Sequence, residues 1–373
     1  MVSFRQFVMI SIVCFSFPLA AEIAVEPAES LKLPNSYPSS WIFAHSGDEV
    51  VILDVAAASH NYKGVLQAAH FANFVESKRR NELYVAETVY SRGTHGIRTD
   101  LITIYDKVNI SPIGEIILPD NKRGLLLSQK GSFQLTQDDR FALVFNFTPA
   151  ASVLVVDVDK RQIVNEVPMP GCYMIYPSGE RGFSTLCSNG ALASFQLDEK
   201  GQLTGEHVSK SFNDIDIDPL FMKSTTIKGI TYFPSFKGRL QPIDMRSDKA
   251  KVLKAWSLLD EQDQTESWRP SGHQLITADN MGRLYILMRK NAIDGNHELG
   301  GEEVWVFDMA AKKRIARISL KKPGRSIEVT QGEQPYLSVT NKDGAVDVYY
   351  GRSGHFIRSI AFGGYPTVLH AAK

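Results

Sequence analysis

The sequence predicts an all-β chain folded as a seven-bladed β-propeller, and three observations carry the prediction. Most of the chain consists of short runs of β-branched and aromatic residues bounded by Gly, Asp, Asn and Pro. A unit recurs along it: an apolar strand that usually closes on Asp, a polar turn, then a second apolar strand. Helical periodicity is scarce, and only residues 255–268 (AWSLLDEQDQTESW) read as one or two short turns.

The first strands of the seven units end at Asp54, Asp106, Asp157, Leu197, Asp244, Asp308 and Tyr350, at intervals of 40 to 64 residues. A β repeat of that length is the period of a propeller blade, a four-stranded sheet that buries its faces only by stacking against neighbours. Further strands fall between the units, such as NELYVAETVY (81–90), RFALVFNF (140–147) and GRLYILMRK (282–290). The longest interval holds an insertion over 258–269. A pair of packed β-sheets is the competing architecture for evenly spaced strands.

Residues 1–21 have the layout of a secretory signal: Arg5, an apolar stretch over 7–17, then Pro-Leu-Ala-Ala. That apolar core of 11 residues is shorter than the roughly 20 needed to span a bilayer, so no membrane anchor is expected. The division is a signal over 1–21, an N-terminal extension over 22–45 and the propeller over 46–373. Lys and Arg number 41, as do Asp and Glu, and this balance argues against nucleic-acid binding. Cys14 falls in the signal. Cys172 and Cys187 remain, and after export such a pair is most simply a disulfide, with two buried thiols as the alternative.

Local catalytic signatures are missing: no G-x-S-x-G, no phosphate loop, no H-E-x-x-H and no histidines at i, i+2 or i, i+4. No catalytic or metal-binding residue is therefore assigned. Asp214, Asp216 and Asp218 open like a calcium loop, but Pro219 and Thr225 stand where Gly and Glu are needed, and the segment reads as a solvated loop. RPSGH (269–273) is a tight loop, and Phe71, Phe74, Tyr90, Tyr173 and Tyr176 are aromatics near loops that could line a pocket or simply pack. The residues alone thus describe an exported binding or scaffold propeller.

Several stretches, in order, resemble the heavy subunit of the quinoprotein amine dehydrogenases, the methylamine and aromatic amine dehydrogenases. They are TVYSR (88–92) with GIRTD (96–100), SVLVVD (152–157), GCYMIYP (171–177) with LCSNG (186–190), and AWSLL (255–259) leading to WRPSG (268–272). The resemblance implies a seven-bladed propeller in the periplasm and a Cys172–Cys187 disulfide. It implies an α2β2 assembly in which a small subunit carries tryptophan tryptophylquinone and the catalytic base, with no cofactor on this chain. A primary amine condenses with that quinone, aldehyde and ammonia leave, and electrons pass to a blue copper protein, amicyanin or azurin. The family's heavy-chain aromatic at the mouth of the substrate path falls on Phe71, within AHFAN (69–73). His70 and His273 depart from the usual residues at their positions. Segment 257–315 is closer to the aromatic-amine type and 268–272 to the methylamine type, which leaves substrate size open. Trp41, Trp256, Trp268 and Trp305 read as packing residues. A stand-alone periplasmic binding propeller is the alternative to the subunit.

Overall fold

The structure is a computed structural model that describes residues 32–69, 71–119, 121–125 and 128–372. The chain divides into two units, 1–31, which lies outside the described residues, and 32–373. The expected signal over 1–21, with Arg5 and Cys14, therefore falls outside them.

The described residues are almost entirely strands, with one short α-helix (Glu261–Thr265) inside the expected insertion. The first sheet holds β1 (Trp41–Ser46), β2 (Glu49–Asp54) and β3 (Tyr62–Gln67), and the second holds β4 (Asn73–Glu76), β5 (Glu82–Arg92), β6 (His95–Asp106) and β7 (Pro112–Ile117). Three more sheets follow, opening with Phe133–Leu135, Cys172–Ser178 and Thr225–Ile227. Every strand pair is antiparallel. The last strand, Val368–Ala371, returns to pair with β1 in the register Ile42 to Ala371 and His45 to Val368, so the end of the ring is zipped to its beginning.

The expectation of seven blades is corrected by the strand pairing. Five blades are discrete sheets of four or five strands, and the last two repeats are fused in one eight-stranded sheet. The joint is the 17-residue strand Lys313–Val329. Its first half pairs with Gly301–Asp308 and its last residues with Tyr336–Asn341. Pro323-Gly324 reads as a break, yet Gly324 stays in register with both Gly301 and Asn341. Backbones crowd there: a Cβ at Gly300 would sit 2.0 Å from the Gly324 carbonyl oxygen, so only glycine fits.

The aspartates that close the repeats have a local task. Asp54, Asp106, Asp157, Asp244 and Asp308 each turn a carboxylate oxygen onto backbone N–H groups two or three residues ahead, as in Asp308 Oδ1 with Ala310 and Ala311, both at 2.9 Å. This is the Asx turn that starts the outer hairpin of these five units. The core lies between sheets, for example where Phe43, Val50 and Ile52 of the first meet Phe74, Leu83 and Val85 of the second.

One buried polar side chain ties the closure together. Gln274 Nε2 donates to the carbonyls of Ile327 and Leu369 and to Glu328 Oε2, each at 2.9 Å, while Gln274 Oε1 accepts the Leu369 N–H at 2.8 Å. It thereby joins the eight-stranded sheet to the closing strand. Gln274→Leu strands these backbone groups away from water and should cost about 3 kcal/mol. The check is the urea midpoint of the purified chain, which should fall well below that of the wild type.

Candidate functional site

Within each antiparallel blade, the turn between second and third strands lies at the same end as the link from the outer strand to the next blade. That end gathers the tip of the β5–β6 hairpin, the 68–72 and 118–132 links, the Cys172–Cys187 disulfide and the 290–300 loop. The disulfide joins directly opposed residues of one hairpin, within a single blade.

Phe71 sits on this face between β3 and β4, 39% exposed, with a left-handed φ of 58°. A bulky side chain seldom adopts that angle, which costs on the order of 1–3 kcal/mol and persists only where neighbours impose it. The neighbours are visible. Ahead of Phe71, the Ala69 N–H donates to Glu87 Oε2 at 2.5 Å. The Phe71 carbonyl itself accepts from Arg123 Nη2. Beyond it, Ser128 Oγ donates to the Ala72 carbonyl at 2.6 Å and the Gln129 N–H to Asn73 Oδ1 at 3.1 Å. His70, the other residue of interest in this loop, lies outside the described residues.

Arg123 is 3% exposed. Its guanidinium also donates to the Ala86 carbonyl and Thr88 Oγ1, both at 2.8 Å. Thr88 Oγ1 donates in turn to Asp100 Oδ1 at 2.6 Å, and Arg98 Nε reaches the same oxygen at 3.0 Å. Burial pulls the Arg123 pKa down to about 10 against the attraction of Asp100, so the group stays charged at neutral pH. His45 on β1 is buried close enough to feel that charge. Burial first, then Arg123, lower its pKa to about 4, and its Nε2 has no hydrogen-bond partner among the described residues.

His273 reaches across the ring, its Nε2 3.1 Å from the Ser128 carbonyl oxygen, a contact that requires the proton on Nε2. Burial lowers its pKa, which favours the neutral ring. Beneath this contact lies a cavity of about 350 Å³ lined by Ser128, Gln129, Tyr176, Met222, Thr225 and His273. A second cavity of about 520 Å³ shares Lys78, Lys130, Gln134, Thr225 and Thr226 with it, and the two follow the central channel. Phe71 lines neither, and its position is on the open face.

The other sequence candidates resolve into packing and turns. Phe74 packs on Phe43 at 4.5 Å between centroids, Tyr173 on Phe145 and Tyr176 on Phe233, both at 4.8 Å. Tyr90 is half-buried on the hairpin. Asp214 caps the N–H groups of Asp216 and Ile217, and Asp218 binds Ser235 and the Lys237 N–H. No cluster of three or more potential metal ligands occurs among the described residues. Trp41, Trp268 and Trp305 are buried and Trp256 half-buried. Sequence reasoning missed Glu87, Arg123 and His45. Thr88 and Asp100 lay within recognised motifs, but nothing local announced that they brace an arginine from another blade link.

The fold and this face define an all-β propeller with an aromatic mounted beside the ring. Residues 43–373 match the family model described as methylamine dehydrogenase heavy chain (MADH). The methylamine dehydrogenase heavy chain of Methylophilus methylotrophus is 26% identical over 329 residues, covering 86% of this chain and 78% of that one. The corresponding protein of Paracoccus versutus is 28% identical over 279 residues, covering 74% and 65%. The solved structure of dihydro-heme d1 dehydrogenase NirN in complex with DHE matches with a TM-score of 0.54 at 15% identity, over 90% of this chain and 76% of that one, a likeness of fold alone. The chain belongs to the methylamine dehydrogenase heavy chain family.

The buried imidazole predicts a pH effect. The unfolded chain protonates His45 near its ordinary 6.5, whereas the folded chain resists until about 4. The unfolded state thus binds more protons in that window, and stability is kept above 6.5 and lost as pH falls. At about 1.4 kcal/mol for each pH unit crossed, the loss reaches about 3 kcal/mol by about pH 4. Urea unfolding of wild type and His45→Gln at several pH values should show the stability difference between them changing in the wild type's disfavour on acidification.

Proposed function

We propose that this chain is the heavy, non-catalytic subunit of a periplasmic amine dehydrogenase, which oxidises a primary amine to aldehyde and ammonia. The match over residues 43–373 is the observation that carries the reading. The partner is a small subunit bearing tryptophan tryptophylquinone, in an α2β2 assembly. Residues 1–21 act as the export signal, and a blue copper protein takes the electrons; the propeller itself begins with β1 at Trp41, ahead of the boundary at 46 expected from the sequence.

The quinone of the partner supplies the oxidation. The contribution of this chain is to dock that partner, exclude water and shape the amine's approach. The face carrying Phe71 supports this role, because Ile97, Phe147, Ile217, Ile293 and Leu299 are also exposed at that end. Apolar side chains gathered at one end favour a covering partner. A rigidly mounted ring at the mouth of a path between two subunits sorts substrates by size, since truncating it opens volume.

Phe71→Ala in the assembled enzyme is the test of that role. It should change kcat/KM for benzylamine relative to methylamine by about tenfold, while the small subunit still co-purifies in unchanged amount. A pocket contact of this kind is worth on the order of 1–3 kcal/mol. Equal ratios in variant and wild type would remove Phe71 from the substrate path.

A further inference from the structure

We infer that Arg123, braced by Thr88 and Asp100, is the positioning residue that fixes the Phe71 ring, with Glu87 holding the other side of the same loop. The inference rests on the reading of Phe71 given above and goes beyond it, because it assigns the specificity of the amine path to buried residues that touch no substrate.

The loop is tied at three points around a strained residue. Glu87 fixes the N–H of Ala69, Arg123 the carbonyl of Phe71, and Ser128 the carbonyl of Ala72. Phe71 occupies a backbone angle that glycine would adopt without cost. A phenylalanine kept there needs the surroundings to impose the angle. Arg123 is suited to that task. Its planar fork reaches the Phe71 and Ala86 carbonyls and Thr88 Oγ1 at once, a set of directions that a lysine ammonium cannot reproduce.

The fork is itself immobilised. Thr88 Oγ1 sits between Arg123 and Asp100, while Arg98 Nη2 donates to the Arg123 carbonyl at 2.7 Å. Glu87 is held on its second oxygen by Thr103 Oγ1. Arg123, Glu87, Thr88 and Asp100 are all buried. Buried charges are retained at a desolvation cost, and apolar residues of similar volume would fill the same space without it. What they uniquely supply is a fixed backbone geometry at the root of Phe71.

The experiment has two independent arms. In the full-length chain, 4-fluorophenylalanine is placed at position 71 and its ¹⁹F resonance followed in wild type, Arg123→Lys and Thr88→Val. A single resonance is expected in wild type, with a shifted or broadened one in both variants. In the assembled enzyme, kcat/KM for methylamine and benzylamine is measured for Arg123→Lys, Thr88→Val, Phe71→Ala and the Phe71→Ala/Arg123→Lys double variant. Arg123→Lys should change the ratio by about fivefold or more, mainly through KM, with Thr88→Val less. The double variant should match Phe71→Ala. Thr88→Val keeps the guanidinium and covers the case in which Arg123→Lys does not fold. An unmoved ¹⁹F resonance in the variants overturns the clamp even if Phe71→Ala alters selectivity. A moved resonance with an unaltered ratio in Phe71→Ala leaves the clamp standing as geometry, removes its link to specificity and overturns the reading of Phe71.

Discussion

Ring closure is the constraint on which everything else depends. No blade can bury both of its faces, so each is stable only between two neighbours. The first sheet finds its second neighbour because the Val368–Ala371 strand pairs with β1. Gln274 then bonds that strand to the eight-stranded sheet on its far side. Interior polar groups are costly to leave unpaired, so a side chain with all its partners satisfied locks one register of closure rather than several.

The same constraint governs the face that carries Phe71. The β5–β6 hairpin runs beyond the strands that flank it, and its base holds Glu87, Thr88 and Asp100. A bare two-stranded extension is marginal in water. Here its base is anchored by Arg123 from the following link, which turns a protruding hairpin into a support for the neighbouring loop. Asp100 is paired directly with Arg98 and reaches Arg123 through Thr88 Oγ1, so the buried arginine and carboxylate are joined by a hydrogen-bonded relay rather than by direct contact.

Much of the architecture could be read from the chain because its signals are local. The alternation of strands, the aspartates that cap turns and the paired cysteines each act within a few residues or one hairpin. The fusion of the last two repeats could not be read, because Pro323-Gly324 carries a turn's composition. Its extended course is imposed by the close approach of Gly300 and Gly301, which are distant along the chain but adjacent across the sheet. The support of Phe71 escaped for the same reason. Arg123 lies 52 residues from the carbonyl it holds, in a polar link that reads as solvated. His45 carried no local signal: the sequence division left it at the end of the N-terminal extension, whereas pairing with Val50 and Val368 places it inside the first sheet, where it is buried.

In the function proposed above, this propeller holds a quinone-bearing partner. The most direct measurement is purification of the native chain from the periplasm of amine-grown cells, with a visible spectrum and mass spectrometry of what accompanies it. A small subunit in equal amount is expected, with quinone absorbance that bleaches when a primary amine is added. A colourless chain recovered alone, from cells grown on several amines, would contradict it.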